Sequence, residues 1–414
     1  ALIQYTSGST GDPKGVVLTH SQLLANIRAM GEAVGVDDQD TFVSWLPLYH
    51  DMGLIGAWLG SSLSFGAHLV LMSPLTFLRR PVSWLQAIHR FQGTLSAAPN
   101  FAYEMAVHRI ADADLETLDL TSWRMAFNGA EPISAQVIDA FCAKFAPFGF
   151  RKQSMAPVFG LAECSLGLTF PPPGQGPLVD YISKDEFTHQ RRAVPVDLKT
   201  DNVLSIVGCG NALPGYRVRI VADEGQILPD RNEGRIQFQG PSSTSGYHRN
   251  RTATAALFDG DWLDTGDLGY LAEKGLFVTR RAKDMIIRGG RNLFPYDLEE
   301  AVGSIDGIRK GCVAVFGATD EKGSSERLVV LAEIRGELSS KIIQKRLTTA
   351  IQASSVEILG IPADDVVLAP PNSVLKTSSG KIRRSACRDA YETQSLGKES
   401  RPVWWQVARL IASG

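Results

Sequence analysis

A glycine-rich run near the start of the chain, Thr6 to Gly15, combines hydroxyl and cationic side chains. It follows Ala1 to Tyr5, a short apolar segment with the pattern of a strand already under way. Glycine lets the backbone turn its N–H groups onto phosphate oxygens, and Ser, Thr and Lys supply further donors. Lys14 precedes a glycine where the P-loop of kinases and GTPases needs Ser or Thr. The run therefore predicts a phosphate-binding loop of another kind, with a flexible Gly/Ser turn as the alternative.

Further motifs of polar, glycine and aromatic residues follow along the chain at Trp45 to Gly56, Asn128 to Pro132, Phe159 to Glu163, Asp261 to Asp267 and Leu375 to Arg384. Together with the first run they resemble, in family order, the motifs of the adenylate-forming superfamily. That superfamily contains acyl-CoA synthetases, luciferases, non-ribosomal adenylation domains and fatty acyl-AMP ligases. The series covers nearly the whole chain. It implies an enzyme that uses ATP to activate a carboxylic acid as its acyl-adenylate.

The resemblance implies a set of nucleotide contacts. The phosphate loop contributes Thr6, Ser7, Gly8, Ser9, Thr10, Gly11 and Lys14, and the adenine-binding turn contributes Asn128, Gly129, Ala130 and Glu131. The motif that stacks on adenine contributes Phe159 and Gly160, and the ribose is bound by Asp267 and Arg281. A carboxylate such as Asp267 can accept both ribose hydroxyls in a bidentate geometry. Glu131 has an open alternative as a charge at the N-terminus of the helix that follows Pro132.

Glu163 is the residue that the resemblance assigns to Mg²⁺. Magnesium prefers hard oxygen ligands and substrate phosphates to an all-protein cage, so one placed glutamate is chemically sufficient. Many relatives carry Thr at the position of Ala162, and the contact of that hydroxyl to phosphate is absent or replaced here. The alternative for Glu163 is a solvated loop acid.

The resemblance assigns catalysis to Lys381 and places His50 beside the acyl carboxylate. Attack of a carboxylate on the α-phosphate accumulates negative charge, and a Lys ammonium that bridges the reacting groups stabilises that charge and aligns them. Leu375 stands where family members often have Pro. The alternatives are a structural role for His50 and, for the lysine, a basic surface patch formed by Lys376, Lys381, Arg383 and Arg384.

The acid and the acceptor are the least defined parts of the reaction. The segments Leu46 to Gly56 and Pro99 to Tyr103 resemble those of fatty acyl-AMP ligases, and we identify no acidic group in Ala97 to Tyr103 to hold a substrate ammonium. The segment Leu178 to Leu204 makes the connection after Glu163 longer than the dozen or so residues that loops commonly have. Fatty acyl-AMP ligases carry an insertion here that is understood to hinder the domain movement that admits coenzyme A.

The implied substrates are a fatty acid and ATP, and the implied acceptor is the phosphopantetheine arm of an acyl carrier protein. An acyl-CoA synthetase of the same fold that uses coenzyme A is the nearer alternative. The other alternative is a non-catalytic nucleotide-binding module.

Composition narrows the class of protein. A formal net charge of -2 and a pI near 6.4 give no footprint for wrapping nucleic acid or coating an anionic membrane. The five cysteines are scattered without a Cys-x-x-Cys pair, which argues against a disulfide framework or a zinc site and fits a reducing, cytoplasmic location. No apolar run reaches the roughly 18 residues of a membrane span.

The pattern of elements predicts an α/β protein. Strand and helix alternate through the first part, with Ser21 as a helix N-cap candidate, and predict a substantially parallel sheet. Short alternating strands from about Val207 predict a β-rich subdomain, and the polar stretch Thr279 to Asp284 precedes an α+β pattern with a helix around Ser339 to Ser354.

We therefore predict a partial large domain at 1–282 with an insertion at 178–204, a small mobile domain at 283–395 and a tail at 396–414. The resemblance places the pivot of the small domain at Lys283 and Asp284. It also implies a sizeable segment before the phosphate loop that completes the large domain, so we expect sequence upstream of Ala1. Phe187, Val194 and Val196 are the apolar residues expected to anchor the insertion.

Overall fold

The computed structural model describes residues 1–6, 13–197, 200, 202–284, 286–288, 291–293, 295–318, 326–335, 341–377 and 381–396. The described chain forms two compact units. The larger comprises Ala1–Thr6 and Lys14–Ala282, and the smaller contains the described residues from Lys283 onward. None of the described helices is long and apolar enough to cross a membrane.

The larger unit begins with an antiparallel hairpin and a helix: β1 (Leu2–Tyr5), β2 (Gly15–Leu18) and α1 (His20–Val34). The N-cap of α1 is Thr19, whose side chain accepts from the backbone N–H of Gln22 while the Gln22 side chain accepts from the backbone N–H of Thr19. This is a capping box, which satisfies two N–H groups that the helix leaves unpaired. The prediction of Ser21 as the N-cap is therefore wrong, because Ser21 lies in the first turn.

Five short, mostly buried strands form a parallel sheet in the order β4-β3-β5-β6-β7. They are β3 (Thr41–Ser44), β4 (His68–Leu71), β5 (Leu95–Ala98), β6 (Met125–Asn128) and β7 (Met155–Pro157). Because every pairing is parallel, the carboxyl ends of all five strands lie at one edge of the sheet. The predicted α/β class with a parallel sheet is confirmed.

Helices connect these strands: a π-helix (Met52–Ser64), α2 (Pro74–Arg79), α3 (Val82–Phe91), α4 (Asn100–Arg109) and α5 (Ala135–Phe145). Trp45, Trp84 and Trp123 lie in the core between helices and sheet. The Trp84 indole donates to Ser96 Oγ at 2.9 Å, and Ser96 donates to the carbonyl of Val43. The Trp84 indole and the Ser96 hydroxyl are thereby paired, which removes the cost of burying these two polar groups.

An ion pair ties the amino ends of the parallel strands. Asp40 precedes β3, Thr94 precedes β5 and Arg124 precedes β6. Arg124 donates to both Asp40 oxygens at 2.9 and 2.6 Å, and Thr94 Oγ1 donates to Asp40 at 2.6 Å. Burial raises the pKa of Asp40, but the hydrogen bonds from Arg124 and Thr94 outweigh it, so the pKa lies below its usual value.

The other strands of the larger unit are β8 (Phe159–Gly160), β9 (Gly167–Phe170), β10 (Leu178–Ser183), β11 (Val203–Gly208), β12 (Asn211–Ala212), β13 (Arg217–Val221), β14 (Gly234–Gln239), β15 (Phe258–Asp259), β16 (Trp262–Ala272) and β17 (Gly275–Arg281). Seven of them form an antiparallel sheet in the order β10-β11-β17-β16-β14-β13, with β15 paired to β16. A smaller sheet has the order β12-β9-β8. Two short helices accompany them, α6 (Lys184–Gln190) and α7 (Arg251–Ala255).

The segment Leu178 to Leu204 is part of the antiparallel sheet and not a long connecting loop. It contains β10, α6 and the start of β11, and β10 pairs with β11 along its whole length. The β-rich region therefore begins at Leu178, and the predicted start near Val207 is wrong.

The anchoring of this segment differs in part from the prediction. Phe187 is buried against Tyr270, as expected of an anchor, with the ring centroids 6.2 Å apart. Val194 and Val196 are only half-buried, and Ala193 between Val194 and the helix is the buried residue.

The smaller unit is an α+β fold. Its elements are β18 (Ile286–Arg288), β19 (Arg291–Leu293), β20 (Ile308–Ala318), β21 (Arg327–Ile334), β22 (Asp365–Ala369), α8 (Pro295–Gly303), α9 (Lys341–Leu359) and α10 (Arg384–Glu392). A sheet in the order β20-β21-β22 has an apolar cluster on each face. Helix α9 extends five residues beyond the predicted Ser354, while Ser339 lies outside the described residues. Single 3-10 turns lie at Asp112–Asp114, Ala146–Phe148, Lys152–Ser154, Ala162–Cys164 and Ala282–Asp284.

The ion pair at the amino ends of the strands predicts a pH-dependent contribution to stability. Asp40→Asn removes the charge that Arg124 faces and should lower the free energy of unfolding at pH 7 by about 2–3 kcal/mol. Because the folded-state pKa of Asp40 is depressed, the contribution is complete above the unfolded-state pKa and is lost as the pH falls through the folded-state value. The deficit should therefore shrink below about pH 4.

Urea denaturation followed by tryptophan fluorescence measures this effect, because Trp45, Trp84 and Trp123 report on the core of this sheet. Asp38→Asn, at an exposed carboxylate two residues away, is the matched control and should be neutral. A deficit of equal size at pH 7 and at acidic pH would show that the ion pair is not its source.

Candidate functional site

Three of the predicted site segments directly follow strands of the parallel sheet. Residues Trp45 to His50 follow β3, Gly129 to Glu131 follow β6, and Val158 to Glu163 follow β7. Neighbouring strands are about 4.8 Å apart, so the loops from β3 to β7 span about 14 Å along one edge. The fold thus places residues more than 100 positions apart along the carboxyl-end edge of one sheet, where open α/β sheets bind ligands.

The base of the glycine-rich loop is closed by two hydrogen bonds. The backbone N–H of Thr6 donates to the Lys14 carbonyl at 2.9 Å, and the backbone N–H of Lys14 donates to Thr6 Oγ1 at 3.0 Å. The β1–β2 hairpin therefore holds both ends of the loop in one place. The residues between these ends that were predicted to bind phosphate lie outside the described residues: Ser7, Gly8, Ser9, Thr10 and Gly11.

Lys14 and Glu163 converge on a third residue, Tyr247. The Lys14 Nζ lies 4.8 Å from the centroid of the Tyr247 ring, and the Tyr247 hydroxyl donates to Glu163 Oε1 at 2.6 Å. Burial first, and then the neighbouring Glu163 carboxylate, raises the pKa of Tyr247, so the phenol keeps its proton and acts as the donor. Sequence analysis did not single out Tyr247, because a Tyr after a Ser/Thr-rich turn has no distinctive spacing.

The adenine-binding turn begins at a buried residue with an unpaired polar atom. Asn128 donates from Nδ2 to Asn100 Oδ1 at 3.3 Å, while its own buried Oδ1 has no donor among the described residues. A Cβ on the next residue, Gly129, would lie 2.9 Å from Val158 Cγ2 and 3.0 Å from the Val158 carbonyl oxygen, so a larger residue would have to displace Val158. Ala130 then has a φ of 69°, an uncommon value for a residue with a side chain. The turn therefore has a constrained backbone and one buried acceptor to offer a ligand.

Glu131 contacts a helix, but a different one from the alternative that the sequence suggested. Its Oε1 accepts from the backbone N–H of Phe101 at 2.5 Å, in the first turn of α4. The N-cap of α4 is Pro99, whose side chain makes no capping hydrogen bond. The helix that follows Pro132 is instead capped by Ser134. Glu131 is thus a charge at the N-terminus of a helix, as the alternative predicted, but the helix is α4 and not the one that follows Pro132.

The stacking motif depends on a close approach between two strands. A Cβ on Gly160 would lie 1.9 Å from the Leu166 carbonyl oxygen, so only glycine fits between β8 and β9. Phe159 is half-buried beside it. The chain then enters the 3-10 turn that carries Glu163.

Asp267 and Arg281, predicted to share the ribose, are directly opposite each other on β16 and β17. Their Oδ1 and Nε atoms are 3.2 Å apart. Asp267 is nearly buried, at 7% exposure, and its backbone N–H donates to Thr265 Oγ1. The strand register alone therefore brings together two residues that are 14 positions apart in sequence.

His50 lies two residues before the π-helix. Its Nδ1 is 2.7 Å from Asp51 Oδ1 and 3.3 Å from the backbone nitrogen of Met52. The ring is mostly buried, and its Nε2 side is not occupied by these two contacts. Its position after β3 is compatible with both the catalytic and the structural interpretation.

In the smaller unit, Lys381 stands at the base of a hairpin loop. Its carbonyl accepts from the Thr377 N–H at 2.8 Å, and its own N–H donates to Thr377 Oγ1 at 3.0 Å. Residues 378–380 lie outside the described residues. The hydrogen-bonded ends fix where the loop returns, three residues before α10.

Arg384 is buried and does not belong to a basic surface patch. It donates to Glu299 Oε1 at 2.8 Å and to Asp284 Oδ2 at 2.6 Å, and its guanidinium lies 4.0 Å from the centroid of the Tyr296 ring. The basic-patch alternative is therefore wrong for Arg384. The network joins the chain that follows Lys381 to Asp284, one of the two predicted pivot residues.

A resident metal cage is not part of this arrangement. Among the described residues, no three His, Cys, Asp or Glu side chains group closely enough to hold a metal ion. Glu163 offers one carboxylate oxygen, Oε2, that accepts no hydrogen bond from the described residues, because Tyr247 donates to the other. One free carboxylate oxygen fits Mg²⁺ that is bound mainly through substrate phosphates.

Comparison with known proteins identifies the family of the chain. The AMP-binding enzyme family matches residues 1–248. A medium-chain-fatty-acid–[acyl-carrier-protein] ligase of Teredinibacter turnerae is 34% identical over 429 residues, covering 100% of this chain and 65% of that protein. A long-chain-fatty-acid–AMP ligase of Mycolicibacterium smegmatis is 34% identical over 439 residues, covering 96% of this chain and 69% of that protein.

A solved structure from a study of fatty acyl-adenylate ligases from E. coli and L. pneumophila superimposes with a TM-score of 0.87 at 36% identity, covering 95% of this chain and 69% of that one. The fold is that of adenylate-forming enzymes, and the chain belongs to the AMP-binding enzyme family. It spans about two thirds of the length of these relatives.

The contact of Glu131 predicts a loss of stability on truncation. Glu131→Ala removes the only side-chain acceptor described at the N-terminus of α4 and should lower stability by about 1 kcal/mol. ATP affinity should stay close to that of the parent, because this carboxylate oxygen is directed at Phe101.

Thermal denaturation and calorimetric ATP titration measure the two effects, and Glu116→Ala at an exposed loop acid is the control. Stability equal to that of the control, together with loss of ATP binding, would assign Glu131 to the nucleotide instead.

Proposed function

We propose that the protein activates a fatty acid with ATP to give acyl-AMP and pyrophosphate. The observation that carries this proposal is the placement of the adenine turn, the stacking motif and Glu163 after adjacent strands β6 and β7, with Lys14 brought to Glu163 through Tyr247. The membership of the AMP-binding enzyme family supports the use of ATP. The names of the relatives support a fatty acid as the substrate.

In this proposal the larger unit binds the nucleotide. The buried Oδ1 of Asn128 accepts from the exocyclic amine of adenine, which would pair an otherwise unsatisfied acceptor. Asp267 accepts from the ribose hydroxyls and Arg281 holds that carboxylate in place. Thr6 and Lys14 frame the phosphate loop. Glu163 would hold Mg²⁺ through Oε2, and the ion when bound would neutralise charge on the phosphates.

Catalysis in the proposal comes from Lys381. The acid's carboxylate attacks the α-phosphorus, the bond to the bridging oxygen of pyrophosphate breaks, and the electron pair leaves with pyrophosphate. The Lys381 ammonium pairs with the charge that develops between the reacting anions, an interaction that strengthens in the transition state. His50, after β3, lies at the end of the same sheet edge where the acid would enter.

The acid-binding side of the site is apolar. Ala97 and Ala98 end β5, which lies between β3, the strand that leads to His50, and β6, the strand that ends at Asn128; both alanines are small and apolar, as suits an alkyl chain. Tyr103 does not contribute to binding of the acyl chain in this proposal, because it is fully buried and donates to the Phe127 carbonyl at 2.8 Å. No acidic residue lies between Ala97 and Tyr103 to select an amino acid.

An acyl carrier protein is the proposed acceptor. The Teredinibacter turnerae relative is named as an acyl-carrier-protein ligase. In this proposal the segment Leu178 to Leu204, which contains β10 and α6, is the insertion that the resemblance to fatty acyl-AMP ligases implies. The insertion packs firmly on its own unit: Tyr270 and Arg231 both contact Asp180 on β10, at 2.7 and 2.9 Å. A firmly anchored insertion can limit which half-reaction the domains assemble.

The role of Lys381 predicts a selective loss of chemistry. Lys381→Ala should lower the rate of adenylate formation by about two to three decades, equivalent to about 3–4 kcal/mol of transition-state stabilisation. ATP binding should survive, because the proposed nucleotide contacts lie on the larger unit.

Fatty-acid-dependent pyrophosphate exchange and calorimetric ATP titration measure rate and affinity separately. Lys376→Ala, an exposed lysine on the same hairpin, is the control and should exchange like the parent. A parallel fall in rate and ATP affinity would make Lys381 a ground-state ligand.

The insertion predicts the choice of acceptor. Removing the whole segment would uncover Tyr270 and Phe277, so a point variant is the cleaner test. Phe187→Ala should release α6 from the sheet, leave adenylation intact and raise the yield of acyl-CoA from free coenzyme A. The measurement is acyl-CoA formed by parent and variant at matched adenylation rates. Phe258→Ala, at an exposed ring on β15, is the control. Efficient acyl-CoA formation by the parent would contradict the gating role and the carrier-protein assignment.

A further inference from the structure

We infer that Tyr247 is a positioning residue that orients both Glu163 and Lys14 toward the metal and phosphates of ATP. The inference rests on the proposed function and adds to it a residue that no motif in the sequence assigns. Tyr247 contacts both of these groups, with its hydroxyl on Glu163 and its ring facing Lys14.

The backbone of Tyr247 is held independently of its side chain. Its N–H donates to Thr254 Oγ1 at 2.9 Å, and the residue bridges to Val16 on β2. On either side, Gly246 accepts from the Val17 N–H, and the His248 N–H donates to the Gly15 carbonyl at 2.7 Å. The segment is therefore an extra strand-like edge along β2, directly beside the base of the phosphate loop. The ring emerges from a fixed backbone, so its direction is set by the fold.

The hydroxyl determines the orientation of the Glu163 carboxylate. A 2.6 Å hydrogen bond to Oε1 fixes the carboxylate plane and leaves Oε2 on the other side. Magnesium needs near-ideal octahedral geometry at about 2.1 Å, so a rotating carboxylate would bind it poorly. Hydrogen bonds to ligating carboxylates typically contribute about 10- to 100-fold in metal affinity. A protonated phenol suits this task, since it donates without adding charge.

The aromatic ring of Tyr247 interacts with Lys14. An ammonium 4.8 Å from a ring centroid is within the range of a cation–π interaction, which restrains a flexible lysine without neutralising it. Glu163 lies in the 3-10 turn between β8 and β9, whereas Lys14 directly precedes β2, and these strands belong to different sheets. Tyr247 therefore couples a carboxylate and a cation that approach the phosphates from two separate parts of the fold.

Tyr247→Phe tests the inference, because it keeps the ring for Lys14 and removes only the donor to Glu163. The probe is Mn²⁺ with a non-hydrolysable ATP analogue, with binding followed by electron paramagnetic resonance. The expected result is a dissociation constant for Mn²⁺ raised about tenfold. In pyrophosphate exchange, the Mg²⁺ concentration for half-maximal rate should rise by a similar factor, while the rate at saturating Mg²⁺ stays near that of the parent.

Tyr270→Phe is the matched control. It also removes a phenol that donates to a carboxylate, Asp180, at 2.7 Å, but on the sheet that carries the insertion. A general effect of losing a phenol–carboxylate hydrogen bond would raise the dissociation constant for Mn²⁺ in both variants, whereas a positioning effect raises it in Tyr247→Phe alone. Parent-like Mn²⁺ affinity in Tyr247→Phe, or an equal change in both variants, overturns the inference and leaves the proposed function standing. Failure of the parent itself to bind Mn²⁺ with the analogue overturns the proposed metal site and this inference together.

Discussion

The parallel pairing of β3, β5, β6 and β7 is the constraint on which the candidate site depends. Each of these strands ends at the same edge, so the residues that follow them meet there whatever their separation in sequence. The opposite edge is stabilised by Asp40, Thr94 and Arg124, which join the amino ends of three of the strands. One edge thus serves stability, while the other carries the loops that are available for chemistry.

The rest of the larger unit brings in the groups that the parallel sheet cannot supply. The β1–β2 hairpin fixes Thr6 and Lys14, and the turn around Tyr247 lies along β2 and reaches Glu163. The register of β16 and β17 sets Asp267 opposite Arg281. Each of these contacts joins residues through backbone pairing first and side chains second. Restraint of this kind would lower the entropy cost of binding the nucleotide in the proposed function.

The sequence was sufficient for the fold class and the parallel sheet, because apolar periodicity and residue type report on local structure, and the resemblance to a known family supplied the order of the motifs. It was insufficient where tertiary contacts decide the role of a residue. Glu131 lies before one helix in sequence and caps another in space, and Arg384 looks like a surface cation but is buried against Glu299 and Asp284.

Two other features needed the structure for related reasons. Tyr247 has a common residue type at an unremarkable spacing, and only the approach of its segment to β2 gives it two functional neighbours. The segment Leu178 to Leu204 has weak alternation, and its strands become evident only through their pairing with each other and with the sheet. The domain motion about Lys283 and Asp284 and the individual roles of the site residues stay predictions.

The central claim is that the carboxylate of a fatty acid attacks the α-phosphorus of ATP. Fatty acid labelled with ¹⁸O in its carboxylate tests it most directly, in a reaction with ATP and Mg²⁺ followed by release of the acyl group to hydroxylamine and mass analysis of the nucleotide. Because the attacking oxygen stays on phosphorus when the acyl–oxygen bond is cleaved, the account predicts one ¹⁸O atom in AMP and none in pyrophosphate. Label in inorganic phosphate, with ADP as the nucleotide product, would instead indicate an acyl phosphate and would contradict the account.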